Sequence, residues 1–374
     1  MKILIATDTY PPRYDGINRF LRETVSELNK EFPVHILAPD YGPSTDNVPV
    51  TKIPLRNWRF GDVRPAKFRP RKIYQLVKQH DIIFVQTIGF IGGLALLFAK
   101  YLRKKTVLYT HIIEWEAVPN ATKRPILQRI LPDMIKKFDR YLYKKIDLLI
   151  VPAEHTSEQY IWNKIDNKRE VVHLGVDEEV FVPPKSKKEA KKRLGIPEDT
   201  FVIGYHGRLA REKDLKTLLR GCIRFMREQG VQAKILIVGD GLEEIRESLE
   251  KREEVLVTGF KEDVAPYLQA MDVYVLSSTT ETSCLSVMEA MSTGLPVIST
   301  PVGFVQDYIT EGENGFFFPQ KNDFVLAKHL QTLYNDKRLR KNIGLHARKT
   351  ITKRFSWKKT NARLKEIFTK LARE

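Results

Sequence analysis

Arg208 and Lys213 lie five residues apart in the run Gly207-Arg208-Leu209-Ala210-Arg211-Glu212-Lys213. Two cations so spaced suit a diphosphate, because arginine offers a planar fork to phosphate oxygens and lysine a mobile point charge. Farther along, Glu281 and Glu289 bracket a loop containing serine and cysteine that runs into Glu289-Ala290-Met291. One acid in a loop and one on the helix after it suit the hydroxyl groups of a sugar and a ribose. Together the four residues predict a protein that holds a sugar nucleotide. If the glycosidic bond breaks there, fixed cations stabilise the charge growing on the leaving diphosphate. Plainer readings stand beside this one, since arginine and lysine often only solubilise a loop and both glutamates could be solvated surface acids.

The elements around these residues must position them. Phe201–His206 reads as a strand, and the helix behind the cationic loop opens at Asp214-Leu215. A strand-to-helix turn offers free backbone N–H groups and the positive end of a helix dipole, so anions favour it. Val273–Leu276 reads as a second strand, Ser277–Ser283 as a polar loop and Leu285–Met291 as a helix. Gly294 supplies a left-handed stop, with Pro296 close behind. Glu281 then precedes the helix and Glu289 lies about a turn inside it. The amides of Ser283, Cys284 and Leu285 are predicted to point from the helix start toward the ligand.

Apolar strand-like runs alternate with helical patterns nearly throughout, which argues for α/β architecture with parallel sheets. In the first half the strands are Lys2–Ala6, Val34–Leu37, Ile82–Val85, Thr106–Tyr109 and Leu148–Val151. In the second they are Phe201–His206, Lys234–Val238, Val255–Val257, Val273–Leu276 and Val297–Ser299. A chain of 374 residues accommodates two such series as two Rossmann-like domains facing a central cleft, with ligand at the carboxyl ends of the strands. The series meet near residues 172–200, where Pro183-Pro184 and the polar Lys185–Lys192 stretch suit a linker. Near the end, Trp357, Leu364, Ile367, Phe368 and Leu371 recur at roughly helical spacing. Periodicity leaves open which domain that amphipathic helix covers.

Composition narrows the classes. Cys222 and Cys284 are far apart and match no metal-ligand or redox spacing, so they read as reduced structural cysteines of a cytosolic protein. Ile82–Ala99 carries no charge over about the minimum length of a membrane span, but it divides into a strand and a helix about Gly89. The opening Met1–Asp8 is too soon charged for a signal peptide and reads as a buried first strand. Net charge is +17, and residues 51–150 hold 21 Lys and Arg against 7 Asp and Glu, supplying +14 of it. A cationic block within one domain calls for an anionic partner, unless it is simply a solvated face.

The ordered set of motifs resembles the retaining glycosyltransferases of family 4, which have the GT-B fold. It comprises Gly207-Arg208-Leu209…Glu212-Lys213, Val238-Gly239-Asp240-Gly241, Thr258-Gly259-Phe260, Ser278-Thr279-Thr280-Glu281…Glu289-Ala290-Met291 and Gly294-Leu295-Pro296-Val297. Thr7-Asp8-Thr9-Tyr10-Pro11-Pro12…Asp15-Gly16, His173-Leu174-Gly175-Val176-Asp177…Phe181 and Phe355-Ser356-Trp357 extend it over nearly the whole chain. The resemblance implies an N-terminal acceptor domain over residues 1–176 and a sugar-nucleotide domain over 177–355. It also implies that a final helix, 356–374, crosses back onto the first domain. Arg208 and Lys213 would contact the donor diphosphate, Glu281 the sugar and Glu289 the ribose. Gly16 would bring bare backbone to the phosphates, and His111 would be the active-site histidine near the donor sugar. The reaction would retain anomeric configuration and use no metal or other cofactor. Two departures stand out: Asp15-Gly16 replaces a pair of glycines, and Thr282-Ser283-Cys284 replaces a Gly-Phe-Gly type of sequence. The Asp-Gly form looks like members that glycosylate diacylglycerol or related lipids.

The basic block independently points to a lipid acceptor. Arg64-Pro65-Ala66-Lys67-Phe68-Arg69-Pro70-Arg71-Lys72 mixes cations with an aromatic ring, and Lys123–Leu131 continuing through Met134, Lys136, Lys137 and Phe138 reads as a basic amphipathic segment. These sequences, within residues 64–145, predict a peripheral enzyme on an anionic membrane surface at the cytoplasmic face. A soluble or polysaccharide acceptor is the alternative. A nucleic-acid binder would need a helix-turn-helix, zinc or RNP signature, none of which is recognisable. A non-catalytic sugar-nucleotide sensor fits poorly with both acids and both cations in place.

Overall fold

The computed structural model describes every residue except 14, 46, 59–63, 116–124, 282 and 374, with backbone alone for 125–128. It divides into two compact units, Met1–Leu174 with Trp357–Glu374, and Gly175–Ser356.

The first unit is built on a seven-stranded parallel sheet of β1 (Ile3–Ala6), β2 (Val34–Pro39), β3 (Val50–Ile53), β4 (Ile82–Val85), β5 (Lys105–Tyr109), β6 (Leu148–Val151) and β7 (Arg169–Val171). Their spatial order is β3-β2-β1-β4-β5-β6-β7. Ile3 sits level with Val34 on one side and Ile82 on the other, so β1 is central. Helices over both faces leave β1 and β4 fully buried, which is why their sequences are unbroken apolar runs.

The second unit repeats the plan with β8 (Phe201–His206), β9 (Ala233–Val238), β10 (Val255–Val257), β11 (Val273–Leu276), β12 (Val297–Ser299) and β13 (Phe316–Phe317), ordered β10-β9-β8-β11-β12-β13. In each sheet the order reverses beside the first strand, the arrangement of a doubly wound α/β fold. Every strand named from the sequence is present, within a residue or two at its ends. β3, β7 and β13, which were not anticipated, all lie at sheet edges and are mostly half-buried.

Ile82–Ala99 splits as expected, into β4 and the Phe90–Tyr101 helix with Gly89 as its N-cap. The partly buried Asp8 carboxylate accepts from the amides of Gly89, Ile91 and Gly92 at 3.0, 2.8 and 3.1 Å, filling that helix's anion position. Among the described residues no helix is long and apolar enough to cross a membrane.

Two readings of the sequence are settled by packing. The polar stretch after Pro183-Pro184 is not a linker but the Lys187–Arg193 helix, with Ser186 as its N-cap. Lys191 is buried there against Asp272 at 2.7 Å, and Lys187 donates to the Met271 carbonyl, so these two lysines are anchors while Lys185, Lys188 and Lys192 face solvent. The Trp357–Arg373 helix belongs to the first unit. Phe368 packs edge-on against Phe84 of β4 at 5.0 Å, Asn361 donates to the Glu23 carbonyl, and Arg363 pairs with Glu170 at 2.7 Å.

Candidate functional site

In the second unit the cationic loop and the acid loop are carried by adjacent strands, β8 and β11. Beyond β8 the chain runs against the Gly239–Gly241 segment. Gly207 donates to the Val238 carbonyl at 2.9 Å, Leu209 to Asp240 at 2.9 Å and Leu242 back to Leu209 at 2.8 Å. This tie holds the base of the Arg208–Lys213 loop, whose Arg211–Lys213 portion forms one 3-10 turn. Asp214 ends that turn in the left-handed region and caps the Leu215–Gln229 helix, taking the Thr217 hydroxyl at 2.6 Å. The acid loop is fastened to the same turn. Ser277 Oγ donates to the Lys213 carbonyl at 2.8 Å, and the Thr279 amide to Glu212 at 2.7 Å.

These ties bring Lys213 and Glu281 into direct contact, Nζ to Oε1, with both side chains largely buried. Ser278 Oγ donates to the same Oε1 at 2.7 Å. Burial alone would pull the Lys213 ammonium down, but the facing Glu281 carboxylate, which also accepts its hydrogen bond, outweighs burial and leaves the pKa raised. The lysine is therefore held as a cation out of bulk water. Arg208 differs: it is exposed and pairs with Glu212 at 2.9 Å, while Tyr205 Oη fixes its backbone carbonyl at 2.9 Å.

The helix that follows begins one residue after Cys284, which adopts φ +48 without any side-chain capping bond. Left-handed backbone costs an ordinary residue about 1 kcal/mol and glycine nothing, so a glycine, as in the Gly-Phe-Gly pattern of the resemblance, would take this conformation freely. Val287 and Met288 bond back to the Cys284 carbonyl, whereas the amides of Ser283, Cys284 and Leu285 have no acceptor among the described residues. Ser283 Oγ is buried and also without a partner there. Open donors and an unpaired hydroxyl at a helix start form a site for oxygen-rich anionic or hydroxylated groups. Thr282, the remaining member of the departing tripeptide, lies outside the described residues.

Glu289 sits a turn inside, buried, with Oε2 3.1 Å from Nε2 of His206, the last residue of β8. The same nitrogen lies 3.2 Å from the Ser286 carbonyl. His206 and Ser278 are site residues that sequence reasoning did not assign. Ser278 stands inside a quoted motif and His206 ends an expected strand, but nothing in their spacing reveals the partner each one meets.

The first unit places His111 just beyond β5, buried, with Nε2 2.9 Å from Gln86 Oε1. With that oxygen accepting, the ring carries its proton on Nε2. The imidazole stacks on Tyr109 at 4.6 Å and meets Phe20 edge-on at 4.9 Å. Burial pushes its pKa down to about 3. The native ring thus stays neutral while an unfolded chain takes up a proton below about pH 6.5, so this group's stabilisation is full above 6.5 and is lost toward pH 3. Replacing His111 by Phe should shrink the loss of unfolding free energy between pH 7.5 and 5.5 by about 1.4 kcal/mol. Urea titrations at the two pH values measure it, and equal losses in both proteins would contradict the buried neutral ring.

Glu114 and Asp139 are also buried near this loop, and Tyr143 Oη donates to Glu114 at 3.2 Å. Burial, together with repulsion from Asp139, raises the Glu114 pKa. Gly16 opens the Gly16–Asn29 helix and is exposed. Asp15 caps this helix, accepting from the Asn18 amide at 2.9 Å and the Thr9 hydroxyl at 2.5 Å. The acid that departs from the double-glycine pattern therefore occupies the helix's own anion position. Among the described residues no group of three His, Cys, Asp or Glu side chains is placed to hold a metal ion.

Residues 14–180 match the family model for Glycosyltransferase Family 4, and residues 186–350 that for glycosyl transferases group 1. The chain is a family 4 glycosyltransferase. This glycosyltransferase is 25% identical over 346 residues to the alpha-monoglucosyldiacylglycerol synthase of Streptococcus pneumoniae, covering 87% of this chain and 77% of that one. To the enzyme of the same name from Acholeplasma laidlawii it is 27% identical over 356 residues, covering 88% and 87%. Its fold is that of the sucrose-phosphate synthase of Thermosynechococcus elongatus, with a TM-score of 0.78 at 18% identity over 99% of both chains. Anabaena HepE in complex with UDP-glucose superposes with a TM-score of 0.77 at 19% identity, covering 99% of this chain and 100% of that one. The GT-B assignment, two Rossmann-like halves, follows.

Proposed function

We propose that this glycosyltransferase moves a sugar from a nucleoside diphosphate sugar to a membrane lipid, with retention of configuration and without a metal. The observation that carries the donor half is the buried Lys213–Glu281 contact beside the open amides and unpaired Ser283 hydroxyl. Lys213 has three ammonium donors, so it can keep Glu281 and still meet a phosphate oxygen. Arg208, exposed on the same loop, supplies the second cation. As the glycosidic bond lengthens, negative charge gathers on the leaving diphosphate and these cations lower its energy. Glu281 binds sugar hydroxyls and offsets positive charge at the anomeric carbon. Glu289 takes the ribose, and Ser283, Cys284 and Leu285 offer donors to the sugar and phosphate. His111 and Gly16 are assigned to catalysis and phosphate approach from the family pattern. HepE structures with UDP and UDP-glucose support a sugar nucleotide as donor.

The lipid half rests on one face of the Pro125–Tyr143 helix. Ile130, Met134, Phe138 and Tyr141 recur every three or four residues and are 50%, 60%, 57% and 57% exposed. A contiguous exposed apolar stripe of this kind marks an interaction surface rather than a core face. Exposed Arg129 and Lys137 flank it, and Trp162 is 84% exposed on a segment tied to the helix by Arg140 Nε donating to the Asn163 carbonyl. Apolar side chains among cations suit the boundary of an anionic bilayer, each cation adding about 1 kcal/mol there. Residues 123–124 of the same basic segment lie outside the described residues. The two glucosyldiacylglycerol synthases among the relatives support a lipid acceptor.

Incubation with labelled sugar nucleotides and a total lipid extract tests the reaction. Label should enter the organic phase, survive EDTA and vanish in Glu281→Ala, and the product's anomeric coupling should match the donor's. Label confined to a soluble acceptor pool would replace the lipid by a soluble or polysaccharide acceptor. For docking, Met134→Glu with Phe138→Glu should weaken co-sedimentation with phosphatidylglycerol vesicles by ~10-fold or more, since two apolar contacts are lost. Binding that ignores both the substitutions and the vesicle charge would rule this surface out.

A further inference from the structure

We propose that His206 is a positioning residue for the donor: its ring holds the Glu289 carboxylate in the orientation that grips the ribose hydroxyls. The inference rests on the reading of Glu289 as the ribose contact. Nε2 of His206 lies 3.1 Å from Glu289 Oε2 and 3.2 Å from the Ser286 carbonyl oxygen. Both are acceptors, so this nitrogen carries a proton whatever the state of the other. Ser286 and Glu289 stand three residues apart on one helix, and the single N–H spans the first turn between them.

The ring itself cannot easily turn. It is 7% exposed, and Tyr274 meets it edge-on at 5.6 Å. The buried Tyr274 hydroxyl also donates to the His206 carbonyl at 3.1 Å, pinning the backbone. Glu289 is only 3% exposed, so its carboxylate depends on protein donors to hold one rotamer. His206 closes β8 two residues ahead of Arg208. One strand end thereby supports the ribose acid and presents a diphosphate cation, linking two parts of the donor through a rigid element.

A buried histidine could also do no more than satisfy a buried acid, so the test must read recognition of the ribose. Binding of UDP, GDP and ADP, each beside its 2′-deoxy and 3′-deoxy forms, is measured calorimetrically on the full chain. The proteins are the wild type, Glu289→Ala, His206→Phe, His206→Asn and His206→Gln. The wild type should bind one ribonucleotide at least ~10-fold tighter than a deoxy form. Glu289→Ala should erase that preference. His206→Phe should lose most of it while binding the deoxy form within about twofold of wild type, the scale of a few tenths of a kcal/mol. His206→Gln, whose amide nitrogen reaches roughly where Nε2 lies, should restore it; the shorter His206→Asn should not. His206→Asn keeps a polar side chain, so it carries the test if His206→Phe does not fold.

Loss of preference in Glu289→Ala but not in His206→Phe or His206→Asn would overturn the inference alone. So would an equal loss of affinity for ribo and deoxy forms in the histidine variants, which is the mark of a merely structural role. Preference retained in Glu289→Ala would overturn the ribose assignment beneath it. Failure of the wild type to bind any of the three nucleotides would remove the donor reading itself.

Discussion

Replacing Lys213 by alanine should lower turnover by on the order of 10²-fold or more while the second unit remains folded. The loss has two physical sources. A fixed cation aimed at a leaving diphosphate stabilises the transition state by ~3 kcal/mol when water is excluded. Lys213 meets that condition, being largely buried and held charged by Glu281. Its removal also leaves the largely buried Glu281 carboxylate with, among the described residues, only the Ser278 hydroxyl at 2.7 Å. An uncompensated buried charge costs ~3–5 kcal/mol, less here because both side chains keep some exposure. Stability should therefore fall in Lys213→Ala and again in Glu281→Ala, whereas the double variant should be more stable than the sum of the two losses predicts. Turnover should stay lost in all three. Steady-state rates with the donor and urea denaturation of the four proteins decide it. A Lys213→Ala enzyme working within tenfold of wild type would remove the lysine from the reaction.

The largest expected effect on stability lies at Gly239. A Cβ there would fall 1.9 Å from the Gly207 carbonyl oxygen, and the residue sits at φ +145, where side chains are rarely tolerated. Neither neighbour can retreat. Gly207 donates to Val238 at 2.9 Å and Gly239 to Gly259 at 3.0 Å, so the crossing is tied on both sides by backbone. Gly239→Ala should cost more than ~4 kcal/mol, a size that points to a backbone clash rather than a lost contact. Gly93→Ala is the matched control, a helix position where an added Cβ meets nothing within 4 Å. It should be neutral or stabilising by ~0.5–1 kcal/mol. Denaturation midpoints of the two variants measure the contrast, and comparable stabilities would mean that the crossing can yield. The Val238-Gly239-Asp240-Gly241 motif then has a structural reason: it lets the β8 loop, with Arg208 and Lys213, cross close over a neighbouring strand end. Gly241 serves the same crossing, since its Cβ would meet the Leu209 carbonyl oxygen at 2.3 Å.

Residue type and local order were enough for the central strands, because burial on both faces demands an unbroken apolar run such as Ile82–Val85. They were also enough for the loop and helix that carry Glu281 and Glu289, whose left-handed stop at Gly294 has φ +78. The edge strands β3, β7 and β13 escaped because one side of each has no neighbour and their half-buried residues need not be apolar. The lysines of Lys185–Lys192 misled for a related reason: composition suggests solvent, yet a long aliphatic stem can be buried when a carboxylate such as Asp272 waits for its tip. Amphipathic spacing showed that the last helix must cover something and left open what; in the structure it meets the ring of Phe84 and the carbonyl of Glu23 in the first unit. The identities of the charged residues predicted a diphosphate and a sugar. That Lys213 touches Glu281 across 68 residues, and that His206 braces Glu289, was decided by tertiary structure alone. Pairing of this kind is set by which strand ends lie side by side, a property of the sheet order that no local sequence window contains.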